Sequence, residues 1–263
     1  MKPNRLKRDL KAGKVCVGTM LTIPSPTIAD IASRCGFDWI WLDMEHTPIG
    51  YESLQTMLQA MTGSGVSTIV RVANNDEAVI KRTLDTGPDA LVIPRVNTKA
   101  EAEYAVRAMK YPPIGVRGAG LGRAQAYGSR LDDYFAHAND ELMLIVQIEH
   151  EKAVENIGEI CAVSGVDSIF LGALDLAGSM GLLGRTNHPK VEAAMLEVLA
   201  AGQRANTPVG IMTLAPDQAN ARIREGYQNI GLGIDVDTLF STWSGMVEKV
   251  ARPKSLSTSS SEN

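Results

Sequence analysis

Four ionisable residues of this chain stand where a short apolar run stops. His46 follows the run Trp39–Leu42, Arg71 closes STIVR, Glu149 closes LMLIVQIE, and Asp175 lies just past VDSIFLGAL. One histidine in a polar loop is an ordinary solvated residue; the same figure four times argues for strands sharing one reactive rim. Two carboxylates such as Glu149 and Asp175, meeting at a partly dry rim, repel unless a proton or cation comes between them. A hard divalent ion completed by water and substrate oxygens fits such a pair. An ion network with Arg71 or Arg123 is the competing reading. Arg71 offers a fixed positive charge to a carbonyl oxygen becoming an enolate. His46 is the candidate proton carrier, because imidazole titrates near neutrality. Backbone N–H groups at Gly172-Ala173-Leu174 offer a cradle for a carboxylate. Imine chemistry would need a lysine at a strand end in an apolar pocket. Lys81, Lys99, Lys110 and Lys190 fall on helix faces or helix starts, and Lys152 lies beyond its strand tip, so that route is disfavoured.

Positioning these groups takes an alternation of strands and helices. The expected strands are Val15–Leu21, Trp39–Leu42, Ser67–Val70, Ala90–Ile93, Leu142–Ile148, Ser168–Leu171, Pro208–Met212 and Asn229–Gly233. Helices are expected over Asn4–Ala12, Thr27–Cys35, Tyr51–Met61, Glu77–Asp85, Lys99–Lys110, Lys152–Cys161, Pro189–Ala201, Pro216–Glu225 and Thr238–Val250. Leu54, Met57, Leu58 and Met61 share one helical face, which reads as core filler. Two stretches break the rhythm: Tyr111 to about Asn139, and the Gly-bearing loop Gly172–Asn187. Loops of that length are usually binding elements or lids. Eight strand–helix units in roughly 250 residues predict an α/β TIM (β/α)8 barrel. It forms a single domain over residues 1–251, and the polar stretch 252–263 is expected to be a disordered tail. A doubly wound open sheet is the competitor, but it would carry an early glycine fingerprint, and its charges would not spread over strands 2, 3, 5 and 6.

Composition removes several classes of function. The net charge is −4, from 26 basic and 30 acidic residues with no basic block, so there is no nucleic-acid footprint. No run of about 18 apolar residues exists to span a membrane. The opening MKPNRLKRDLKAGK lacks the apolar core of a secretory signal. Cys16, Cys35 and Cys161 are odd in number and have no C-x-x-C spacing, which fits a reducing cytoplasm rather than a disulfide framework or a zinc site.

Five blocks carry a further resemblance: FDWIWLDMEHTPIG; IVRVANND with IKRTLDTG; LVIPRVNTKAEAEYAVRAMKYPPIGVRG; VQIEHEKAVENI; and GVDSIFLGALDLAGSMG with NHP. In this order, over about residues 5–250, the chain resembles the HpcH/HpaI family of metal-dependent class II pyruvate aldolases. The resemblance implies a TIM barrel, a homo-oligomer (trimers pairing as hexamers) and a bound Mg²⁺, Mn²⁺ or Co²⁺. It also implies reversible cleavage of a 4-hydroxy-2-oxo acid into pyruvate and an aldehyde. Carried over by position, His46 is the proton acceptor, Arg71 the transition-state stabiliser, and Glu149 and Asp175 the metal ligands. Gln147 and the backbone at Leu174 contact the substrate, and Asp85 is the acid that raises the basicity of the histidine. Asp85 falls on the wrong side of its own barrel, so that role requires a neighbouring subunit. The chain departs from the family in three places. Ala173-Leu174 replaces a Pro-small pair, Met44 replaces a small residue, and the loop GAGLGRAQAYG is glycine-richer. The family also includes a siderophore-pathway citrate synthase acting on oxaloacetate and acetyl-CoA, which is the alternative activity. A non-catalytic keto-acid-binding barrel is the third reading, and it would not need His46.

Overall fold

Eight short runs rich in β-branched and aromatic residues form eight parallel strands that close on one another in sequence order. They are β1 (Cys16–Leu21), β2 (Trp39–Asp43), β3 (Ser67–Arg71), β4 (Ala90–Ile93), β5 (Met143–Ile148), β6 (Ser168–Leu171), β7 (Val209–Thr213) and β8 (Asn229–Ile234). This computed structural model describes residues 1–251; the expected polar tail, 252–263, lies outside the described residues. The helices are α1 (Arg5–Lys11), α2 (Pro26–Ser33), α3 (Tyr51–Ala60), α4 (Glu77–Asp85), α5 (Lys99–Met109), α6 (Leu131–Glu141), α7 (Glu151–Glu155), α8 (Ile157–Cys161), α9 (Ala173–Ser179), α10 (Pro189–Ala205), α11 (Pro216–Glu225) and α12 (Asp235–Glu248). Several start on readable signals. The Asp76 side chain accepts from two N–H groups at the start of α4, and Thr98 with Glu101 makes a reciprocal capping box on α5.

Strand side chains alternate between two cores. Inside the barrel, Met20, Trp39, Trp41, Ile69, Val92, Ile145 and Phe170 pack together, and Leu6 and Leu10 of α1 close the lower end. Phe170 meets Trp41 edge-on at 4.9 Å between ring centroids. Two tryptophans fit because the facing position on β1 is Gly18, where a Cβ would stand 2.0 Å from the Trp39 ring. Outside, residues such as Leu42, Val70, Leu91, Val146 and Ile169 are buried under the helices. Val17 of β1 and Leu232 of β8 face the same outer layer but are only partly covered. The helix next to them, α12, buries only Asp235, while Phe240, Trp243, Met246 and Val247 are exposed.

Three expectations need correction. The stretch Tyr111–Asn139 is not all loop, because α6 occupies its second half. Only Tyr134 and Ala138 of α6 are buried, so its apolar period is too thin to read through the surrounding acids. The loop Gly172–Asn187 opens with α9, whose first turn carries Asp175. The single helix expected over Lys152–Cys161 is two, α7 and α8, broken at Asn156, where the side chain donates to Asn97 O at 2.9 Å.

Candidate active site at the carboxyl ends of the strands

Asp43 and Arg71 are the last residues of β2 and β3 and are direct partners in the parallel ladder. Register therefore puts a carboxylate beside a guanidinium on the rim. Arg71 Nε donates to Asp43 Oδ1 at 2.8 Å and Nη2 to Oδ2 at 2.7 Å, a bidentate pair, with the guanidinium 5.5 Å from the Trp41 ring centroid. Both residues are buried. Burial works against the charge on Arg71, but the Asp43 hydrogen bonds and the nearby acids outweigh it, and its pKa rises. Glu45 Oε2 lies 3.2 Å from Arg71 Nε, yet that N–H is already given to Asp43. Glu45 Oε2 is consequently buried without a hydrogen bond. His46 follows on the exposed part of the loop, with Nε2 3.6 Å from Glu45 Oε2.

The other acids come from β5 and α9. Gln147, near the end of β5, is buried and its Oε1 accepts from Arg71 Nη1 at 3.4 Å. Glu149, one residue past β5, is 6% exposed. Its Oε1 accepts the Arg95 N–H at 2.8 Å. Burial first, then the charges of Glu45 and Asp175, push the Glu149 carboxyl up to about 7; Glu45 is raised as well, again chiefly by burial. Gly172 is what lets β6 approach so closely: a Cβ there would fall 2.7 Å from Glu149 Cβ and 2.9 Å from Gln147 Nε2. Asp175 is exposed at the start of α9. Glu45, His46, Glu149 and Asp175 line one cavity of about 230 Å³, completed by Arg95, His150, Gly178 and Ser179. A larger hollow of about 600 Å³ lies where the strands begin, but its acids, Asp30 and Asp38, are surface ion-pair partners of Arg34 and Arg5. The buried acids mark the smaller cavity as the reactive one.

The fold thus gathers His46, Arg71, Gln147, Glu149 and Asp175, with Ala173 and Leu174 in the first turn of α9. The competing ion network does not form. Arg71 pairs with Asp43 and Glu45, and Arg123 donates to Thr86 O and Leu58 O at the other end. Asp85 ends α4, the helix that runs away from the rim, and its Oδ1 takes Arg117 Nη2 at 2.9 Å. It does not join the rim of its own chain. Among the described residues, Lys110 is the buried lysine; burial lowers its pKa, but its amino group donates to Asn139 O, not into the cavity. Among the described residues, no three His, Cys, Asp or Glu side chains are grouped as a ready-made metal cage. Asp43, Glu45, Arg95 and His150 carry no assigned role in the sequence reading. The strand-end rule that finds Arg71 also reaches Asp43. Arg95 hides behind Pro94, and its left-handed φ of 55° cannot be read from residue type.

Comparison with known proteins gives the family. Residues 18–242 match the HpcH/HpaI aldolase/citrate lyase family. A hydroxypyruvate/pyruvate aldolase of Sagittula stellata is 41% identical over 233 residues, which is 88% of this chain and 92% of that one. A family protein of Burkholderia cenocepacia J2315 has a crystal structure that superposes with a TM-score of 0.90 at 36% identity, covering 93% and 98% of the two chains. The crystal structure of the citrate synthase SbnG gives 0.84 at 26% identity, covering 92% and 96%. The chain belongs to the HpcH/HpaI aldolase/citrate lyase family and is an aldolase, a carbon–carbon lyase.

Proposed function

We propose that this aldolase reversibly cleaves a 4-hydroxy-2-oxo acid into pyruvate and an aldehyde with the help of a divalent cation. The observation that carries the reading is the acid excess at the rim. Glu149 is buried and raised to about 7 by burial and by Glu45 and Asp175, and Glu45 Oε2 is buried with no hydrogen bond. An orphaned buried oxygen beside two further carboxylates suits a hard cation, and Glu149 and Asp175 are the residues that would hold Mg²⁺, Mn²⁺ or Co²⁺. Such a cation supplies Lewis-acid polarisation of the keto-acid carbonyl and offsets the acid charge.

The rest falls to the chain's own groups. Asp43 holds the Nε–Nη2 edge of the Arg71 guanidinium, leaving Nη1, with only a long bond to Gln147, to face an enolate oxygen. Gln147 and the first-turn N–H groups of Ala173 and Leu174, which have no intrahelical acceptor, hold the keto acid. His46 takes the hydroxyl proton as the carbon–carbon bond breaks and returns it in the condensation direction. Asp85 raises the basicity of a His46 imidazole across a subunit boundary in a homo-oligomer, a trimer or hexamer. The exposed apolar face of α12 and the partly covered outer face of β1 and β8 support association. No described helix is long and apolar enough to cross a membrane. Cys16, Cys35 and Cys161 are free thiols, as a reducing cytoplasm allows.

Pyruvate release from a test aldol is the decisive measurement. Chelation should abolish it, Mg²⁺, Mn²⁺ or Co²⁺ should restore it, and Glu149→Gln or Asp175→Asn should weaken cation binding by more than about tenfold. Full activity in chelator defeats the reading. The likeness to SbnG favours one second reading, condensation of oxaloacetate with acetyl-CoA, so that substrate pair belongs in the same assay.

A further inference from the structure

The lower part of the barrel interior holds polar groups that the chain leaves unpaired. Asn229, the first residue of β8, is 0% exposed, and neither its Oδ1 nor its Nδ2 has a hydrogen-bond partner among the described residues. Trp39, the first residue of β2, is fully buried as well, and its Nε1–H is unpaired. Both face the barrel axis. Trp39 packs in the inner cluster, whereas Ile230 packs in the outer one, so alternation turns its neighbour Asn229 inward. They also share a level. Layers of a TIM barrel draw on alternate strands, and strand tilt shifts the level by about one residue per strand. From Trp39 the ladder runs across Gly18 to Gly231, and one inward position further down β8 is Asn229. In the other direction the same steps lead to Ala90 on β4 and Ser168 on β6. Ala90 and Ser168 are small where such layers usually carry bulky branched chains, and the Ser168 hydroxyl is given to Pro208 O at 2.9 Å. The Trp39 ring covers Gly18 of β1, the strand between β2 and β8, and so leans toward Asn229. The site is closed at both ends: the edge-on rings of Trp41 and Phe170 lie above it, and Leu6 and Leu10 of α1 lie below.

We propose that this layer is a binding site for one sealed, buried water, held by the Asn229 amide and the Trp39 Nε1–H. The donor set selects the ligand. Two N–H donors and one carbonyl acceptor match the lone pairs and one O–H of a water, and three partners are usual for a buried one. A cation would meet N–H groups and an anion the amide oxygen, and no charged side chain belongs to the layer to offset the desolvation of either. A direct bond from Trp39 Nε1 to Asn229 Oδ1 would still leave the amide Nδ2 buried without an acceptor. The water pins the Trp39 ring over Gly18, on which the packing of the lower barrel depends. It stands apart from the acid cavity and does not rest on the aldolase reading.

The test is a crystal structure of the wild-type full chain at a resolution that shows ordered water. One isolated density peak is expected at about 2.7–3.2 Å from Trp39 Nε1 and from the Asn229 amide. Crystals soaked in bromide or in rubidium should give no anomalous signal there, which separates water from an anion or a cation. Asn229→Leu replaces the amide by an apolar chain of similar size, and the peak should vanish. Water ¹⁷O relaxation dispersion reads the same site in solution, because a sealed water exchanges slowly: wild type should show one more long-lived water per chain than Asn229→Leu. The wild-type density and dispersion decide the matter even where the variant does not fold. An empty layer, a direct bond between Trp39 Nε1 and Asn229 Oδ1, or an anomalous peak from either ion overturns the proposal. So does a water that persists unchanged in Asn229→Leu, which would mean that the amide does not hold it.

Discussion

Two arginines are buried at opposite ends of this barrel, and their surroundings differ. Arg71, on the rim, is gripped by Asp43 through two N–H groups and feels Glu45 and Glu149, which in turn feel Asp175. Arg117, at the far end, lies 4.6 Å from the Tyr111 ring centroid and 5.5 Å from that of Tyr134, and meets one acid, Asp85. Around Arg117 the charges balance. Around Arg71 the acids outnumber the bases, one buried carboxylate oxygen has no hydrogen bond, and one carboxyl is raised to about 7. A balanced cluster is a clamp, whereas an unbalanced one in a cavity is arranged to receive something. Arg117 is still not perfectly satisfied, since its Nε has no acceptor, which marks the clamp as tight rather than ideal.

The largest expected effect breaks the rim. Arg71→Lys keeps the charge but loses the fork that spans Asp43 and still leaves Nη1 free. The loss in kcat should be 10² or more, about 3 kcal/mol, the size of one missing oxyanion donor. Turnover near that of wild type would make Arg71 a second clamp and erase the contrast with Arg117.

The next effect reads the acid excess without any substrate. The folded Glu149 carboxyl sits at about 7 against an ordinary 4.5, so the folded chain holds a proton there that the unfolded chain gives up earlier. Its stabilising contribution is complete below about 4.5 and is lost as pH rises to about 7. At 1.36 kcal/mol per pH unit, the loss is roughly 3 kcal/mol. Cation-free wild type should therefore lose melting temperature relative to Glu149→Gln across this window, and saturating Mg²⁺ should remove the difference. Parallel curves for the two proteins would mean that neither burial nor the charges of Glu45 and Asp175 raise the Glu149 carboxyl.

Most of the barrel, and the better part of its rim, is legible in the residues because both follow from alternation. Apolar runs of four to six residues fix the strands, and a charge where a run stops, as at Arg71 and Glu149, marks the rim. What escapes depends on register and backbone sign. That Asp43 grips Arg71 needs the β2–β3 pairing, and that Arg95 lines the cavity needs a left-handed turn imposed by Glu149 and Gln147, some fifty residues away. Helix α6 escapes for another reason: two buried residues are too few to set a period. Asp85 shows the opposite limit. The chain alone places it correctly, away from His46, but its proposed partner lies in another molecule.

The clamp should answer differently from the rim. Arg117→Met keeps an apolar body between the two tyrosines and removes the charge. Asp85 is left with the longer bond from Gln125, 3.4 Å, but its side chain is 27% exposed and regains water. The cost should be about 2 kcal/mol, less than for a fully buried orphan charge. At roughly 2–4 °C per kcal/mol for a domain of this size, the melting temperature should fall by several degrees. No fall would show that the stacking, and not the ion pair, holds this end.

The smallest effect isolates one hydrogen bond of that clamp. Arg117 Nη1 donates to the Tyr134 hydroxyl at 3.1 Å, and both side chains are buried. Tyr134→Phe keeps the ring, its edge-on contact with Tyr111 at 6.3 Å and the cation–π contact, and deletes only the acceptor. The guanidinium cannot turn to water in exchange, because Nη2 is tied to Asp85 and the side chain is fully covered. The substitution should therefore cost about 1 kcal/mol, the low end for a buried donor left unpaired, or a few degrees in melting temperature. Because the ring still packs and Asp85 stays paired, kcat on the rim should hold while stability falls. A kcat that dropped with the melting temperature would tie the far end to catalysis through Asp85, and the two buried arginines would then belong to one machine spread over neighbouring subunits.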